Sequence, residues 1–293
     1  MKVLLATDGS LSAEEAAWFL SHLAHNEPLE LTVLHALQRP DFYETAGANN
    51  WLEASNEAVR KKSAEVYSKI KDMFDGANAT LSHVVVNGHA SQAIVTEAQI
   101  RQIELVVMGA RGQSPLSRLL LGSSSEFVAT HAPCSVLVVR PTGLRGGHKR
   151  DLRITIAYDG SEQSKAAIDQ FNKFEWRQHS PIDVITALPT GTNVELPIPF
   201  DSSDTLVAVK RLNDAAAESL RAKSTRVNGF VREAYHVGNS LVHFLEERRS
   251  DLVVLGDTGR GLLGRYFLGS VSRFVLTHAG CSVWIVRRPH TGR

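Results

Sequence analysis

The stretch Thr130–Arg140 reads THAPCSVLVVR, and it recurs as THAGCSVWIVR at Thr277–Arg287. The two cysteines in these segments are 281 − 134 = 147 residues apart. A second match lies upstream, where Lys2–Ser10 (KVLLATDGS) is echoed by Arg153–Ser161 (RITIAYDGS) at an offset of 151 residues. The offsets differ by only 151 − 147 = 4 residues, which a loop can absorb. Such a repeat indicates two copies of one structural unit.

Composition and length limit the class of protein. The 293 residues are 43% hydrophobic and 22% charged, which is typical of two globular domains. The net charge of +1 gives no general attraction to polyanions, so neither nucleic acid nor an acidic membrane surface is implied. The apolar run at the N-terminus stops at Thr7, too early for a signal peptide, and no run approaches the roughly 20 residues that span a bilayer. Two cysteines, Cys134 and Cys281, favour buried thiols in a reducing cytoplasm.

Short β-branched segments alternate with helical patterns in each copy, which is typical of βα units that build a parallel sheet. The sequence therefore predicts an α/β fold with two tandem open parallel five-stranded sheets and helices on both faces. We expect domain 1 over residues 1–140, a linker rich in Gly and Pro over 141–151, and domain 2 over 152–293. The predicted strands are Lys2–Thr7, Leu29–Ala36, Leu81–Val86, Glu104–Met108, Ser135–Val139, Arg153–Tyr158, Ile182–Leu188, Phe230–Val237, Leu252–Leu255 and Ser282–Val286. The helices predicted in copy one are Ser12–His25, Trp51–Phe74, Ser91–Gln102 and Ser124–His131.

The turns that follow the strands carry the candidate site, because an open parallel sheet binds ligands at the carboxyl ends of its strands. Asp-Gly-Ser follows the first strand of each copy, at Asp8 and at Asp159. Asp and Ser are also good turn and N-cap residues, so this motif alone indicates no more than a tight turn into a helix.

A glycine pattern after the fourth strand is a stronger signal. Gly-x-x-Gly, nine residues and Gly-Ser occur with the same spacing in both copies, starting at Gly109 and at Gly256. The first two glycines would let a ligand approach the backbone, and the third places free amides and a Ser hydroxyl at the start of a helix. Such a helix start is a natural phosphate site.

Asp-Gly-Ser, the Gly-x-x-Gly-x9-Gly-Ser pattern and the His-Ala-x-Cys-Ser-Val strand resemble the universal stress protein family in its tandem two-domain form. The resemblance covers about residues 1–140 and 152–287. It implies a Rossmann-like, adenine nucleotide α hydrolase-like fold and a regulator of the stress response that binds ATP, ADP or AMP, with or without Mg²⁺. Matched by position, the first site would use Asp8, Ala36, Met108, Gly109, Arg111, Gly112, Gly122, Ser123, Ser124 and Ser125. The second would use Asp159, Ala187, Leu255, Gly256, Thr258, Gly259, Gly269, Ser270, Val271 and Ser272.

Several features separate these sites from an ATPase of the P-loop class. No Gly-Lys-Ser/Thr follows a glycine-rich turn, so positive charge would have to come from Arg111 or Arg118 in copy one and Arg260 or Arg265 in copy two. No residue stands out as a base for phosphoryl transfer, and we expect binding without fast turnover. A slow ATPase and a nucleotide-free scaffold or apolar-ligand protein remain alternatives. If only one copy binds, we expect copy one, since Asp257 puts negative charge near the phosphates of copy two.

The remaining expectations concern metals and assembly. The twelve histidines have no ligand partners at a recognised spacing, and no Gly-x-Ser-x-Gly elbow is present, so we expect neither a metal site nor a serine nucleophile. The repeated His131 and His278 indicate the end of the fourth helix. Dimers of the family pair through their last strands, which implies an internal pseudo-dimer here, with a further homodimer and an unidentified protein partner left open.

Overall fold

The computed structural model describes residues 1–25, 27–37, 49–112, 121–141, 151–190, 202–259 and 268–288, with backbone alone for residues 24, 49–56 and 202–204. Most of the predicted linker lies outside the described residues, as do Arg118, Arg260 and Arg265. The long segments after the second strand of each copy are only partly within them.

Each half of the chain alternates strands and helices. The first half contains β1 (Lys2–Thr7), α1 (Leu11–Ser21), β2 (Ala24–His25), β3 (Leu29–Leu37), α2 (Asn49–Met73), β4 (Ala79–Asn87), α3 (Ala90–Ile100), β5 (Leu105–Gly109), α4 (Ser123–His131) and β6 (Ser135–Val139). The second half contains β7 (Ile154–Ala157), α5 (Glu162–Phe171), β8 (Phe174–Glu175), β9 (Ile182–Pro189), α6 (Ser202–Ser219), β10 (Val227–Ala234), α7 (Val237–Arg248), β11 (Leu252–Gly256), α8 (Ser270–His278) and β12 (Ser282–Val286).

Five parallel strands from each half form the main sheet, as predicted. The first half has the order β6-β5-β1-β3-β4, and the second half has the equivalent order β12-β11-β7-β9-β10. The two sets are joined where β12 pairs antiparallel with β6, so the described strands make one ten-stranded sheet. Leu137 and Trp284, which occupy the same position of the repeat, are direct partners in this pairing. The two halves are therefore related locally by a two-fold axis.

Two apolar layers cover the faces of the sheet and run through both halves. One contains Leu5, Phe171 and Trp284, and the other contains Val106 and Ile285, all almost fully buried. The central strands β5, β6, β11 and β12 are buried along their whole length, which explains why their sequences are continuously apolar. Both cysteines are free and buried, as predicted, and burial raises the pKa of each thiol to about 12.

Two predicted elements had boundaries that were wrong by more than two residues. The helix predicted to reach His25 ends at Ser21, because Ala24–His25 instead pairs antiparallel with Phe174–Glu175 of the other half. The strand predicted as Phe230–Val237 runs from Val227 to Ala234. Its register with β9 fixes that span, and the His236 ring caps α7 by accepting the amide of Asn239 at 3.0 Å. Both corrections depend on contacts that a local pattern does not contain.

Candidate functional site

A cavity of about 380 Å³ lies at the carboxyl ends of the strands in the second half. Tyr158 and Asp159 follow β7 at one side, and Thr258 and Gly259 follow β11 at the other. Aliphatic side chains form much of the wall, and they are Ala157, Ile185, Ala187, Leu188, Pro189, Val209, Val237, Leu241, Leu255 and Val271. The cavity therefore combines an apolar interior with polar groups and a helix start.

The ten residues predicted for the second site all line this one cavity. They are Asp159, Ala187, Leu255, Gly256, Thr258, Gly259, Gly269, Ser270, Val271 and Ser272. They come from four separate segments, which the parallel sheet brings together because the carboxyl ends of its strands share one edge. Their use in ligand binding stays a prediction.

The aspartate after the first strand has the same setting in both halves. Asp159 Oδ1 accepts the amide of Ser161 at 2.9 Å, and Asp8 Oδ1 accepts the amide of Ser10 at 3.0 Å. Each of these serines then caps the following helix with its own hydroxyl. The aspartates thus hold the turn, as the simpler interpretation of the motif requires, while a second carboxylate oxygen of each faces the glycine loop.

The second glycine of each motif lies against that carboxylate. A Cβ atom added at Gly259 would stand 3.1 Å from Asp159 Oδ2, and one added at Gly112 would stand 2.6 Å from Asp8 Oδ2. Glycine at this position therefore lets the loop close on the aspartate.

The first glycine of each motif also packs closely against a helix. A Cβ atom at Gly109 would lie 2.5 Å from the backbone oxygen of Ser12, and one at Gly256 would lie 2.7 Å from Gln163 Cβ. Both neighbours belong to the helix that follows the first strand. These glycines are needed for close packing of that helix on the sheet, and access for a ligand is not required to explain them.

The third glycine is the N-cap of a helix and provides no side-chain cap of its own. Gly269 is the N-cap of α8 and Gly122 is the N-cap of α4, and neither can offer a side chain to the first amides. Their own amides bond to the loop, Gly269 N–H to Asp257 O and Gly122 N–H to Ala110 O, both at 2.8 Å. The helix starts are thus held in place while the positive end of the helix dipole stays uncapped by a side chain.

The last serine of each motif is a positioning group. The Ser272 hydroxyl donates to Gly256 O at 2.8 Å, and the Ser125 hydroxyl donates to Gly109 O at 2.9 Å. Both side chains are buried. A hydroxyl has one hydrogen to donate, so in this arrangement neither serine can also donate to a phosphate. In this structure both serines fix the helix to its strand, and their part in ligand binding stays a prediction.

The charge of Asp257 is balanced by Arg287, which follows the neighbouring strand β12 at the same edge of the sheet. Its Oδ2 lies 3.7 Å from Nε of Arg287, and its Oδ1 is 3.3 Å from the Thr258 hydroxyl. Burial raises the pKa of this carboxyl, and the Arg287 guanidinium opposes the shift. Asp257 is not among the residues that line the cavity. Stronger binding by the first copy stays a prediction, since Arg287 opposes the negative charge on which it was based.

The first half places its predicted residues at equivalent points. Ala36 lies near the end of β3, Met108 and Gly109 end β5, and Arg111 follows, with its amide 3.3 Å from the Ser12 hydroxyl. Ser123, Ser124 and Ser125 form the first turn of α4. The chain between Gly112 and Gly122 is only partly described, and ligand binding by this first site stays a prediction.

Sequence reasoning missed several residues around the cavity. Thr186 precedes the predicted Ala187, and Val209, Val237 and Leu241 lie on helices α6 and α7. The helical residues carry no motif, and only the packing of both helices over the end of the sheet brings them to the site. Within the part of the chain described, no lining residue is Lys or Arg.

His35 occupies in the first half the position that Thr186 has in the second. Its side chain is 6% exposed, and its Nδ1 has no hydrogen-bond partner among the described residues. Burial lowers the pKa of His35, opposed by Asp8, while His83 and Lys62 lower it further. The imidazole is therefore held neutral more strongly than in water.

The histidines that repeat have a structural role. His131 and His278 are the last residues of α4 and α8, as predicted, and each stacks on the phenylalanine one turn earlier. In the described ranges, no three His, Cys, Asp or Glu side chains are grouped as metal ligands would be. A search of the same residues finds no helix with the length and apolar character needed to cross a bilayer.

Fold and cavity together define a tandem α/β protein with a cavity at the carboxyl ends of the strands in its second half. The family model of the universal stress proteins matches residues 1–140 and again 152–287, and the chain belongs to that family in a tandem two-domain form. A universal stress protein of Mycolicibacterium smegmatis is 25% identical over 97% of this chain and 96% of its own length. One from Methanocaldococcus jannaschii is 30% identical over 47% of this chain and 81% of its own.

A solved structure shares the whole architecture. The crystal structure of a universal stress protein from Archaeoglobus fulgidus covers 98% of both chains with a TM-score of 0.64 at 18% identity. At 18% identity this similarity supports the fold alone.

Proposed function

We propose that this universal stress protein binds an adenine nucleotide, ATP or its relatives ADP and AMP, and acts as a cytoplasmic regulator of the stress response. One observation carries the proposal. The ten residues matched to the second site by sequence all line a single cavity of about 380 Å³. That volume is within the range of small-molecule sites, which are concave, mostly apolar and supplied with a few convergent polar groups.

The wall of the cavity suits the parts of a nucleotide. The aliphatic wall that includes Ala187, Leu188 and Leu241 would take the flat, weakly polar adenine ring. The Asp159 carboxylate would accept hydrogen bonds from ribose hydroxyls. The uncapped start of α8 at Gly269 would meet the phosphates with backbone amides and the positive end of the helix dipole. Mg²⁺, if it accompanies the nucleotide, would be held mainly by the phosphates.

Binding without rapid turnover is the expected activity. The described lining offers one ionisable carboxylate, Asp159, and that group is engaged by the Ser161 amide. Phosphoryl transfer needs a group that positions water and cations that stabilise the transition state. We therefore propose a switch controlled by occupancy, with slow hydrolysis as the weaker alternative.

The apolar wall supports a second candidate function. Ten of the residues around the cavity are aliphatic or proline, so an uncharged apolar ligand would also bury much of its surface there. In that case the protein would act as a nucleotide-free scaffold or carrier. The two functions differ in whether the phosphates contribute to affinity.

The deciding experiment is calorimetric titration of nucleotide-stripped protein with ATP and Mg²⁺, and then with ADP, AMP, adenosine and an apolar dye. Ala187→Phe would fill the cavity of the second site, and Ala36→Phe is the matched change in the first half. We expect ATP to bind and each variant to remove one site. Equal affinity for adenosine and ATP, or binding of the dye alone, would favour the apolar-ligand function, and no binding of ATP would refute the nucleotide proposal.

Assembly is the remaining part of the proposal. Because β6 pairs with β12 inside one chain, each molecule is an internal pseudo-dimer. A homodimer of these chains and a separate protein partner are both compatible with this arrangement, in which the antiparallel pairing places the carboxyl ends of the two sets of strands at opposite edges of the sheet. Light scattering with and without ATP measures whether the mass doubles.

A further inference from the structure

Arg287 joins the two halves of the chain through a buried set of contacts. It follows β12 in the second half, is 8% exposed, and reaches into the first half. Its Nη2 donates to Ala129 O at 2.6 Å and to Thr130 O at 3.2 Å, and its Nη1 donates to Cys134 O at 3.3 Å. Two of these carbonyls belong to the last turn of α4, where a cation is favoured by the helix dipole.

The same guanidinium also contacts the glycine loop of the second site. Nε of Arg287 is 3.7 Å from Asp257 Oδ2, and Asp257 stands between Gly256 and Thr258, which both line the cavity. The carbonyl of Asp257 accepts the amide of Gly269 at the start of α8. Arg287 therefore contacts the Asp257 loop of the second site and the C-terminal end of α4. The N-terminal end of α4 belongs to the first site.

The equivalent arginine in the other direction lacks half of this connection. Nη2 of Arg140, which follows β6, donates to Leu276 O in the last turn of α8 at 3.0 Å. The position that corresponds to Asp257 is Ala110, which has no charge to offer. An aspartate at this loop position, paired with the arginine that follows the last strand, is thus present only in the second copy of the repeat.

We infer that Arg287 is a positioning residue shared by the two ligand sites, and that occupancy of the second site changes the affinity of the first through the Asp257–Arg287 pair and α4. The inference rests on the proposed function. A ligand at the start of α8 would shift the loop that carries Asp257, which changes how tightly Arg287 holds the end of α4. Helix α4 starts at Gly122–Ser123, which is the proposed phosphate position of the first site. Coupling of this kind is reciprocal for binding.

The first test needs no nucleotide. Hydrogen exchange followed by mass spectrometry compares the unaltered full chain with Asp257→Asn, which removes the charge and keeps the shape. We expect faster exchange in the last turn of α4, residues 128–132. The last turn of α8, residues 275–279, is the internal control, because Arg140 and not Arg287 holds it. Unchanged exchange in α4 would overturn the inference, as would equal changes in both helices.

The second test measures the coupling itself. Calorimetry with ATP and Mg²⁺ gives the first-site Kd in the unaltered chain and in Gly269→Asp, which blocks the second site. We expect the two values to differ by about fivefold or more. Adding Asp257→Asn should reduce that factor toward one, because the pair that carries it is gone. A factor that persists in Asp257→Asn would overturn the inference.

The two hypotheses fail separately. If ATP does not bind the unaltered chain, the proposed function fails, while faster exchange in α4 alone still supports Arg287 as the connection between halves. If ATP binds at both sites and neither the exchange nor the coupling factor responds to Asp257→Asn, the proposed function stands and the inference is rejected.

Discussion

The substitution Gly269→Asp should separate binding from folding at the second site. Gly269 is the N-cap of α8 with φ −59° and ψ 155°, a conformation that aspartate adopts readily. An added Cβ atom would lie 3.2 Å from Asp257 O and 3.2 Å from Thr258 Cα, so the loop would have to move by a few tenths of an ångström. Aspartate and glycine differ by only a few tenths of a kcal/mol as N-caps, and we expect near-normal stability.

The effect on binding should be much larger than the effect on stability. A carboxylate at the N-cap would accept the first free amides of α8 and would stand where the phosphates are proposed to bind. Two like charges 4 Å apart repel by about 1 kcal/mol in water and about 4 kcal/mol in a partly buried setting. The affinity for ATP at this site should therefore fall between about fivefold and about a thousandfold.

Calorimetry with ATP, combined with urea denaturation of the same preparations, measures both quantities. Gly269→Ala is the matched control, because it adds the Cβ atom without the charge, and it should lose far less affinity. Gly122→Asp makes the same change in the first half. If Gly269→Asp binds ATP as tightly as the unaltered chain at two sites, the phosphate position proposed for α8 is wrong.

Three further predictions concern stability. Ser272→Ala should lower the free energy of unfolding by about 1 kcal/mol in urea denaturation, because a buried hydrogen bond is lost. Its ATP affinity, measured by calorimetry, should fall less than that of Gly269→Asp. Trp284→Ala should cost about 3–5 kcal/mol in urea denaturation, since this fully buried ring lies where the halves meet, and a loss below 1 kcal/mol would contradict that packing. Burial lowers the pKa of His35 and His83 below 6.5, so the unfolded chain binds more protons and stability should fall as the pH drops through 6.5. Replacing both by Gln should flatten this pH dependence in thermal unfolding.

Strong local sequence patterns determined how much of the fold could be predicted. Strands that are buried on both faces are mostly apolar, and Ser135–Val139 and Ser282–Val286, which are apolar after the first residue, were predicted to the residue. Boundaries failed where a distant segment decided them. The pairing of Ala24–His25 with Phe174–Glu175 ends the first helix early, and no pattern within the helix records it.

The candidate site also contains features that local sequence predicts and features that only distant contacts decide. Turn residues such as Asp159, Gly259 and Gly269 could be found from sequence, because their conformational needs restrict the residue type and because the repeat supplied a second copy for comparison. The roles of Gly256 and Ser272 could not be assigned, since packing against a helix and a hydrogen bond to a strand carbonyl depend on which element lies beside them.

By itself the sequence determined the two repeats, the class of fold, the family resemblance and the residues at the carboxyl ends of the strands. Tertiary structure alone decided that the halves share one sheet, that helical residues such as Leu241 complete the cavity, and that Arg287 balances Asp257 while holding α4. The physical reason is the distance along the chain over which each effect acts. Propensity, turn chemistry and apolar periodicity act over a few residues, whereas a cavity wall or a buried ion pair is made by groups that only folding brings together.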